Sequence, residues 1–331
     1  MAFGKKKQGG GKQTTIFYAT DLHGSTICFK KFINAAVYYT NKGRPIDVVI
    51  MGGDVAGKLI VPIIRENGHY KSYLTGMDYD MTTDDELAAF HKSCDTLGVY
   101  PCTFEPDEYQ AFAGDKARQD ALFHEVVLAR LREWVEFAEA RLEGQPFSCY
   151  LNPGNDDFFE VDEILKGSGK LIMPEGRCLR IDDDHEMISS GFANITPFHC
   201  PRDLPEERLL DKLEEMAPQV EDMSRGVFNF HVPPYASGID DAPALDDQLR
   251  PQIGPQGVVT EPVGSTSVRA MIEKYQPLLA LHGHIHESRG QASIGRTLCL
   301  NPGSEYSEGI LRGLIVTIQG DKVANHQMTS G

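Results

Sequence analysis

Five hydrophobic segments of the chain each lead into a turn that carries Asp, Asn or His, and this repeated arrangement limits the folds open to the chain. The most distinctive turn is HGHIH at residues 282–286, which follows the apolar residues 277–281. A short apolar run is typical of a buried strand, and histidines two residues apart after it are typical of a metal-binding loop. Taken alone, the turn also fits an exposed polar loop.

The first of these segments, residues 14–20, is rich in β-branched and aromatic residues, which predicts a strand. It leads into Asp21 and His23. Because alternate side chains of an extended segment point the same way, both can face one ion. Apolar residues at helical spacing across 25–39 then predict a helix.

The same arrangement recurs along the chain. Residues 46–51 are apolar and are followed by Gly53 and Asp54, where glycine allows a tight turn under the carboxylate. The later strands, with the polar residues that follow them, are 147–151 with Asn155, 226–230 with His231, and 277–281 with His284 and His286. Further strands are predicted at 186–193, 297–300 and 313–319, with a helix at 267–274 and a long loop at 240–257. Alternation of strands and helices predicts the α/β class.

Together the turns supply seven side chains with metal-binding atoms. Three offer a carboxylate or amide oxygen and four offer an imidazole: Asp21, His23, Asp54, Asn155, His231, His284 and His286. All follow strands, and ligands of α/β sheets gather beyond the carboxyl ends of strands. This donor set suits two borderline or hard divalent ions that share an aspartate, and the lack of cysteine argues against a structural zinc site.

In residue type and order, these turns resemble the motifs of the calcineurin-like metallophosphoesterases, which are D-x-H, G-D, G-N-H-[D/E], H and G-H-x-H. Here they stand at residues 21–23, 53–54, 154–157, 231 and 283–286. The resemblance covers residues 14–319 apart from an insertion, and NPGS at 301–304 is similar to the family's closing strand. It implies a four-layer α/β/β/α sandwich of two facing mixed sheets.

The resemblance also implies roles for these residues. The first metal ion would be held by Asp21, His23, Asp54 and His286, and the second by Asp54, Asn155, His231 and His284, with Asp54 as the bridge. It implies two divalent ions per chain, drawn from Mn, Fe, Zn and Ni, with Mn or Fe favoured. Two such ions can turn a bridging water into hydroxide that attacks phosphorus, so Asp54, Asn155 and Asp156 become the candidate catalytic residues.

Asp156 departs from the family pattern, because the residue after the motif asparagine is usually a histidine that assists the leaving group. An aspartate with a pKa of about 4 is ionised at neutral pH, so it cannot donate a proton and would repel an anionic substrate. Asp156 is therefore turned away, or its pKa is raised, or another group protonates the leaving oxygen. His199 and His282 are the alternatives that the sequence offers.

Two stretches stand outside this pattern. Residues 1–13 combine lysine with glycine and predict a flexible tail, which leaves 14–331 as one domain.

Residues 66–146 predict a mainly helical insertion, with a capping box at Thr83 and Glu86. An apolar stripe predicts a long helix through Phe123, Val127, Leu131, Trp134, Ala138 and Leu142. An insertion between two metal-binding turns is placed to shape substrate access, which favours a cap over an oligomer contact.

Composition narrows the function and the cellular location. The net charge of −16 disfavours broad binding to nucleic acid or anionic membranes, and a repair-type nuclease with them. Seven scattered cysteines predict free thiols in a reducing cytoplasm. The chain has no apolar run long enough for a membrane span and no apolar N-terminal segment of the kind found in signal peptides.

Two functions remain open. The first is hydrolysis of a small organic phosphate, with a phosphodiester or nucleotide favoured because Gly57 stands where the protein-phosphatase branch has an aspartate. The second is a catalytically weak or inactive protein that keeps the fold as a binding or scaffold module. The sequence leaves the natural substrate, the metal and the oligomeric state open.

Overall fold

Two six-stranded sheets form the frame of the protein in the computed structural model, which describes residues 12–331. In spatial order, the strands of the first sheet are Lys322–Ser330, Arg312–Gln319, Gln13–Ala19, Val48–Met51, Ser148–Leu151 and Leu171–Ile172. Those of the second are Gly290–Ile294, Thr297–Asn301, Leu279–Leu281, Gly226–Phe230, Glu186–Ser190 and Cys178–Arg180. Both sheets are mixed, with parallel strands at the centre, so the predicted α/β class is confirmed.

Helices cover these sheets. The α-helices of the described chain are Thr26–Asn41, Asp84–Leu97, Pro106–Ala113, Lys116–Leu142, Val161–Lys166, Glu206–Met216 and Thr266–Tyr275. Short 3₁₀ helices lie at Ala217–Gln219, Met223–Arg225 and Tyr306–Glu308. Short strand pairs join Ala193–Asn194 to Asp203–Leu204, Asp241–Pro243 to Thr260–Pro262, and Ile253–Gly254 to Gly257–Val258.

The central strands are buried on both faces, as expected for parallel strands. In strand Gln13–Ala19, Phe17 and Ala19 join a core with the helices, whereas Ile16 and Tyr18 point to the opposite face, as alternation requires. That opposite face shares one core with side chains of the second sheet, including Met187 and Leu279. The two sheets therefore contribute to a common apolar interior.

The stretch predicted as a mainly helical insertion contains the expected helices. Thr83 and Glu86 form the predicted capping box at the start of helix Asp84–Leu97. In helix Lys116–Leu142 the apolar stripe is buried from Val127 to Leu142, and Trp134 stacks on Phe29 with ring centroids 4.2 Å apart.

The same stretch also takes part in a sheet that the sequence did not predict. Its four strands, in spatial order, are Met77–Met81, His69–Leu74, Ile60–Glu66 and Tyr100–Phe104.

The division of the chain into a tail and one domain stays a prediction, because residues 1–11 of the predicted tail lie outside the described residues. None of the described helices is both long enough and apolar enough to cross a membrane.

Candidate metal centre

The candidate ligands lie in loops that follow parallel strands of both sheets. Backbone hydrogen bonds hold these loops together at one edge. The Asp21 amide donates to the Gly53 carbonyl at 2.9 Å, and the Gly283 amide donates to the His231 carbonyl at 2.8 Å. Backbone hydrogen bonds between the loops therefore hold the candidate ligands' backbone in place without help from side chains.

Four of the candidate ligands have left-handed backbone conformations that side-chain-bearing residues rarely adopt. The φ angles are 56° at Asp21, 42° at His23, 51° at Asp54 and 67° at His284. Such conformations cost free energy and persist where the surrounding structure enforces them, which is common at functional sites.

Glycines allow these loops to approach closely. A Cβ atom at Gly53 would collide with the His231 ring, and one at Gly283 would collide with Thr20 and with the Asp21 carboxylate. The glycines of the G-D and G-H motifs are therefore required by packing around the candidate ligands.

Asp21, His23 and His286 form one group whose ligand atoms lie within 4.8 Å of one another. His286 Nε2 is 3.3 Å from Asp21 Oδ1 and 3.0 Å from His23 Nε2. Asp21 and His23 are fully buried, whereas His286 is partly exposed, so this group opens to solvent on the His286 side.

Asp54, His231 and His284 form a second group, whose ligand atoms also lie within 4.8 Å of one another. His231 Nε2 lies 3.2 Å from Asp54 Oδ2, and Asn155 Oδ1 lies 2.9 Å from His284 Nδ1. All seven side chains named from the sequence are therefore brought together by the structure.

Asp54 lies between the two groups. Its Oδ2 atom is 3.2 Å from His231 Nε2 and 3.6 Å from His23 Nε2. A single carboxylate oxygen thus faces a nitrogen of each group, which is the arrangement that a bridging ligand requires.

The protonation preferences of these residues follow from burial and from their neighbours. Burial opposes a charge on His231, but Asp54 outweighs it and raises the pKa of His231 to about 9. Burial lowers the pKa of His284 to about 4. Burial would raise the pKa of Asp21, yet the hydrogen bond and charge of His286 hold it well below its usual value.

The donor set fits divalent cations. His231 Nε2 is buried and forms no well-aligned hydrogen bond, although it lies 3.2 Å from Asp54 Oδ2 and 3.8 Å from Asp21 Oδ1. A buried polar atom without a well-aligned partner is costly, and a cation coordinated between the ring and the carboxylates would satisfy it. The buried Asp and His groups could therefore hold metal ions.

Asp156 is not turned away from the centre. Its Oδ2 atom lies 2.7 Å from Lys58 Nζ and 3.5 Å from His23 Nδ1, and its Oδ1 atom accepts a hydrogen bond from Cys200 Sγ at 2.7 Å. Partial burial opposes the charge of Lys58, but Asp156 outweighs it and raises the pKa of the amine.

Of the two alternative histidines, His282 is excluded by its position, and His199 stays an untested alternative. His282 is fully buried, with Nδ1 2.8 Å from the Phe230 carbonyl oxygen, and burial lowers its pKa to about 4. A ring enclosed in this way cannot reach a substrate. His199 lies in an exposed turn with a φ of 52°.

Several supporting residues were not identified from the sequence. Asp157 accepts hydrogen bonds from the amides of Val55, Ala56 and Gly154 at 2.7–3.0 Å, and so ties two ligand loops together. Its place directly after Asp156 in the motif was the available signal. Asp203 accepts from Asn155 Nδ2 at 2.9 Å, and its position in the sequence gave no indication of this contact.

The 301–304 segment, which begins at the end of strand Thr297–Asn301, supports the histidine loop. Asn301 Nδ2 donates to the Ile285 carbonyl at 3.0 Å, and Ser304 Oγ donates to the Asp21 carbonyl at 2.7 Å. This segment therefore links loops of both sheets.

The insertion contacts the candidate centre directly. Ser25 Oγ donates to the Thr96 carbonyl at 2.8 Å, and the Gly57 amide donates to Tyr100 Oη at 2.8 Å. Gly98, which ends helix Asp84–Leu97, lies so close to the His23 carbonyl that a Cβ atom would collide with it. The insertion therefore packs against the backbone of two ligand loops.

Comparison with known proteins supports the fold. No family model matches the chain. An uncharacterized protein of Methanocaldococcus jannaschii, MJ1162, is 32% identical over 152 residues, which cover 45% of this chain and 61% of that protein. The "probable inactive purple acid phosphatase 24" of Arabidopsis thaliana is 30% identical over 67 residues, or 20% of this chain and 11% of that protein. The chain thus spans less than two thirds of each of these relatives.

Solved structures show the same fold at low identity. The crystal structure of TT1561 of Thermus thermophilus has a TM-score of 0.51 and 13% identity, and the match covers 96% of this chain and 99% of that one. A second crystal structure has a TM-score of 0.52 at 13% identity and covers 97% of this chain. These matches span both six-stranded sheets, so the mixed α/β fold is shared.

Proposed function

We propose that the protein is a metal-dependent phosphoesterase that hydrolyses a small organic phosphate, with phosphodiesters or nucleotides favoured. The fold would be the four-layer sandwich of the calcineurin-like metallophosphoesterases, with helices outside two facing sheets. Support comes from the core that the two sheets share and from the helix-packed cores on their other faces.

The observation that carries this proposal is the position of Asp54. One oxygen of this buried carboxylate faces His23 in one group of candidate ligands and His231 in the other. Asp21 Oδ1 faces the same two nitrogens from 3.8 Å, so Asp54 is the closer of the two carboxylates to both groups. Two divalent ions per chain, with Mn or Fe favoured, account for the position of Asp54.

The seven candidate ligands would bind two metal ions. Asp21, His23 and His286 would hold one ion, and Asn155, His231 and His284 would hold the other, with Asp54 shared. When bound, the ions would supply an activated water and neutralise charge on the phosphoryl oxygens. His286 lies on the exposed side, so the substrate would enter there.

A second candidate function is a binding or scaffold module that keeps the fold with little or no catalysis. The replacement of the usual motif histidine by Asp156 favours it, because no histidine stands in that place to protonate a leaving group. Catalysis is preferred because the structure brings all seven candidate ligands together.

Hydrolysis of bis(p-nitrophenyl) phosphate and p-nitrophenyl phosphate by the manganese-loaded full chain tests the proposal. We expect hydrolysis by the wild type and only background hydrolysis by Asp54→Asn, which removes the shared charge. Asp80→Asn is the control, since Asp80 also pairs with a histidine, His69, but on the surface of the insertion. Equal rates for wild type and Asp54→Asn would favour the scaffold.

A further inference from the structure

The open side of the candidate centre carries a lysine that no metal-binding role requires. Among the described residues, Lys58 is the one lysine or arginine that forms an ion pair with any of the seven candidate ligands or with Asp156, and its partner is Asp156. We infer that Lys58, held by Asp156, binds a phosphoryl oxygen of the substrate at this rim. The inference rests on the proposed function and names the residue that receives the charged part of the substrate.

The backbone that carries Lys58 is fixed. The Gly57 amide is bound by Tyr100 Oη at 2.8 Å, and the Ala56 amide is bound by Asp157 Oδ1 at 2.8 Å. A Cβ atom at Gly57 would collide with the Gly98 carbonyl, so the chain is tightly packed here. The side chain of Lys58 therefore leaves a rigid loop at a defined point, four residues after Asp54.

Asp156 then fixes the ammonium group. Its two oxygens are taken, one by Lys58 Nζ and the other by Cys200 Sγ. The carboxylate is thus engaged as an anchor, and its negative charge is offset by the lysine. This pairing changes the expectation from the sequence, in which a free Asp156 would repel an anionic substrate.

Lys58 is more accessible to solvent than the side chains beside it. The side chain of Lys58 is 50% exposed, that of Asp156 is 19% exposed and that of Asp21 is 1% exposed. His286, at 27% exposed, is also accessible on this side, so an anion that comes from solvent can reach both the Lys58 ammonium and the one open candidate ligand, while Asp21 stays enclosed. An ammonium has three N–H donors, and one ion pair leaves two of them for phosphoryl oxygens.

An ordinary surface ion pair would look similar in isolation. Lys71 and Glu66 form such a pair at 2.8 Å, with Lys71 also 50% exposed, but they lie in the insertion away from the candidate ligands. What distinguishes Lys58 is that the same Asp156 oxygen contacts the His23 ring of the first ligand group. The cation is therefore placed beside the centre, where it can act together with bound metal.

Binding of inorganic phosphate to the manganese-loaded full chain, measured by isothermal titration calorimetry, tests the inference. Lys58→Met should bind phosphate about tenfold more weakly or worse, because a charge-assisted hydrogen bond is lost. Lys58→Arg should stay within a few-fold of wild type, since the charge is kept. Lys71→Met, the matched control, should bind as the wild type does.

Metal content is measured on the same samples and should not change in Lys58→Met. If Lys58→Met loses metal or unfolds, Lys58→Gln is titrated instead, with the same expectation. Phosphate affinity equal to wild type in the metal-loaded lysine variant would overturn the inference, as would a wild type that binds no phosphate. A wild type that binds phosphate through Lys58 but hydrolyses no ester would leave the inference standing and contradict the proposed function.

Discussion

At the scale of single residues, the side-chain amide of Asn155 must present its oxygen, not its nitrogen, if it is to act as a metal ligand. Asp203 decides this orientation, because it accepts a hydrogen bond from Asn155 Nδ2 at 2.9 Å and leaves Oδ1 directed at His284. The other Asp203 oxygen accepts from Thr196 and from the Cys200 amide, which holds the aspartate in place. Loss of such a supporting contact typically weakens metal binding by about 10–100-fold.

Replacing Asp203 with alanine should therefore weaken manganese binding by about 10–100-fold, because Asn155 becomes free to flip. Isothermal titration with Mn²⁺ measures this. Asp246→Ala is the control, since Asp246 also accepts backbone hydrogen bonds but lies in an exposed turn. Unchanged manganese affinity in Asp203→Ala would show that Asn155 does not need this partner.

At the scale of elements, the insertion is joined to the candidate centre through the end of helix Asp84–Leu97. Gly98 has a φ of 74° and packs on the His23 carbonyl, so any side chain there meets two obstacles. The first is the backbone conformation itself, and the second is the close contact with the ligand loop.

Gly98→Ala should lower the free energy of unfolding by about 1–3 kcal/mol more than Gly76→Ala does, because only the first variant adds a collision. Gly76 has a φ of 84° with open space around it, so its substitution carries the backbone cost alone. Urea unfolding measures the difference. If the two variants lose the same stability, the contact between the insertion and the His23 loop is not tight.

The strands of the insertion show why part of the fold could not be predicted. Strand Ile60–Glu66 pairs on both sides, with His69–Leu74 and Tyr100–Phe104, yet it contains Pro62, which cannot donate to a sheet and argues against a central strand. The pairing to His69–Leu74 begins at Ile63, beyond the proline. The capping box at Thr83 and the long apolar stripe gave stronger local signals, so helices dominated the prediction.

At the scale of the whole molecule, a buried histidine links the two large sheets. His185 Nδ1 lies 2.7 Å from Asp182 Oδ2, and Nε2 lies 2.8 Å from the Gly320 carbonyl oxygen, in the turn between the last two strands. Burial lowers the pKa of His185, but the bonds to Asp182 and Gly320 and the charge of Asp184 outweigh it, and the net shift is upward.

A raised pKa means that the charged imidazole stabilises the fold. This stability is fully present below the unfolded-state pKa of about 6.5 and is lost as the pH rises through the higher folded-state pKa. His185→Gln should therefore cost about 1.5–3 kcal/mol at pH 5.5 and less at pH 9. Urea unfolding of both proteins at the two pH values tests this, and a cost that is equal at both or larger at pH 9 would contradict it.

The sequence predicted well those features that depend on local pattern. The strands at 226–230 and 313–319 were located because apolar runs end at polar turns, and the structure brings the seven predicted side chains to one place. It could not predict Lys58 or Asp203, because their roles depend on contacts with residues 98 and 48 positions away in the chain. No local spacing encodes contacts of that kind.

The metal content of the whole 331-residue chain tests the shared position of Asp54 most directly. The chain is loaded with Mn²⁺, freed of unbound metal and analysed by inductively coupled plasma mass spectrometry beside Asp54→Asn. We predict about two ions per wild-type chain, and fewer in the variant because both groups of ligands lose a common oxygen. A wild type that retains no metal, or a variant that retains as much as the wild type, would contradict the dinuclear centre.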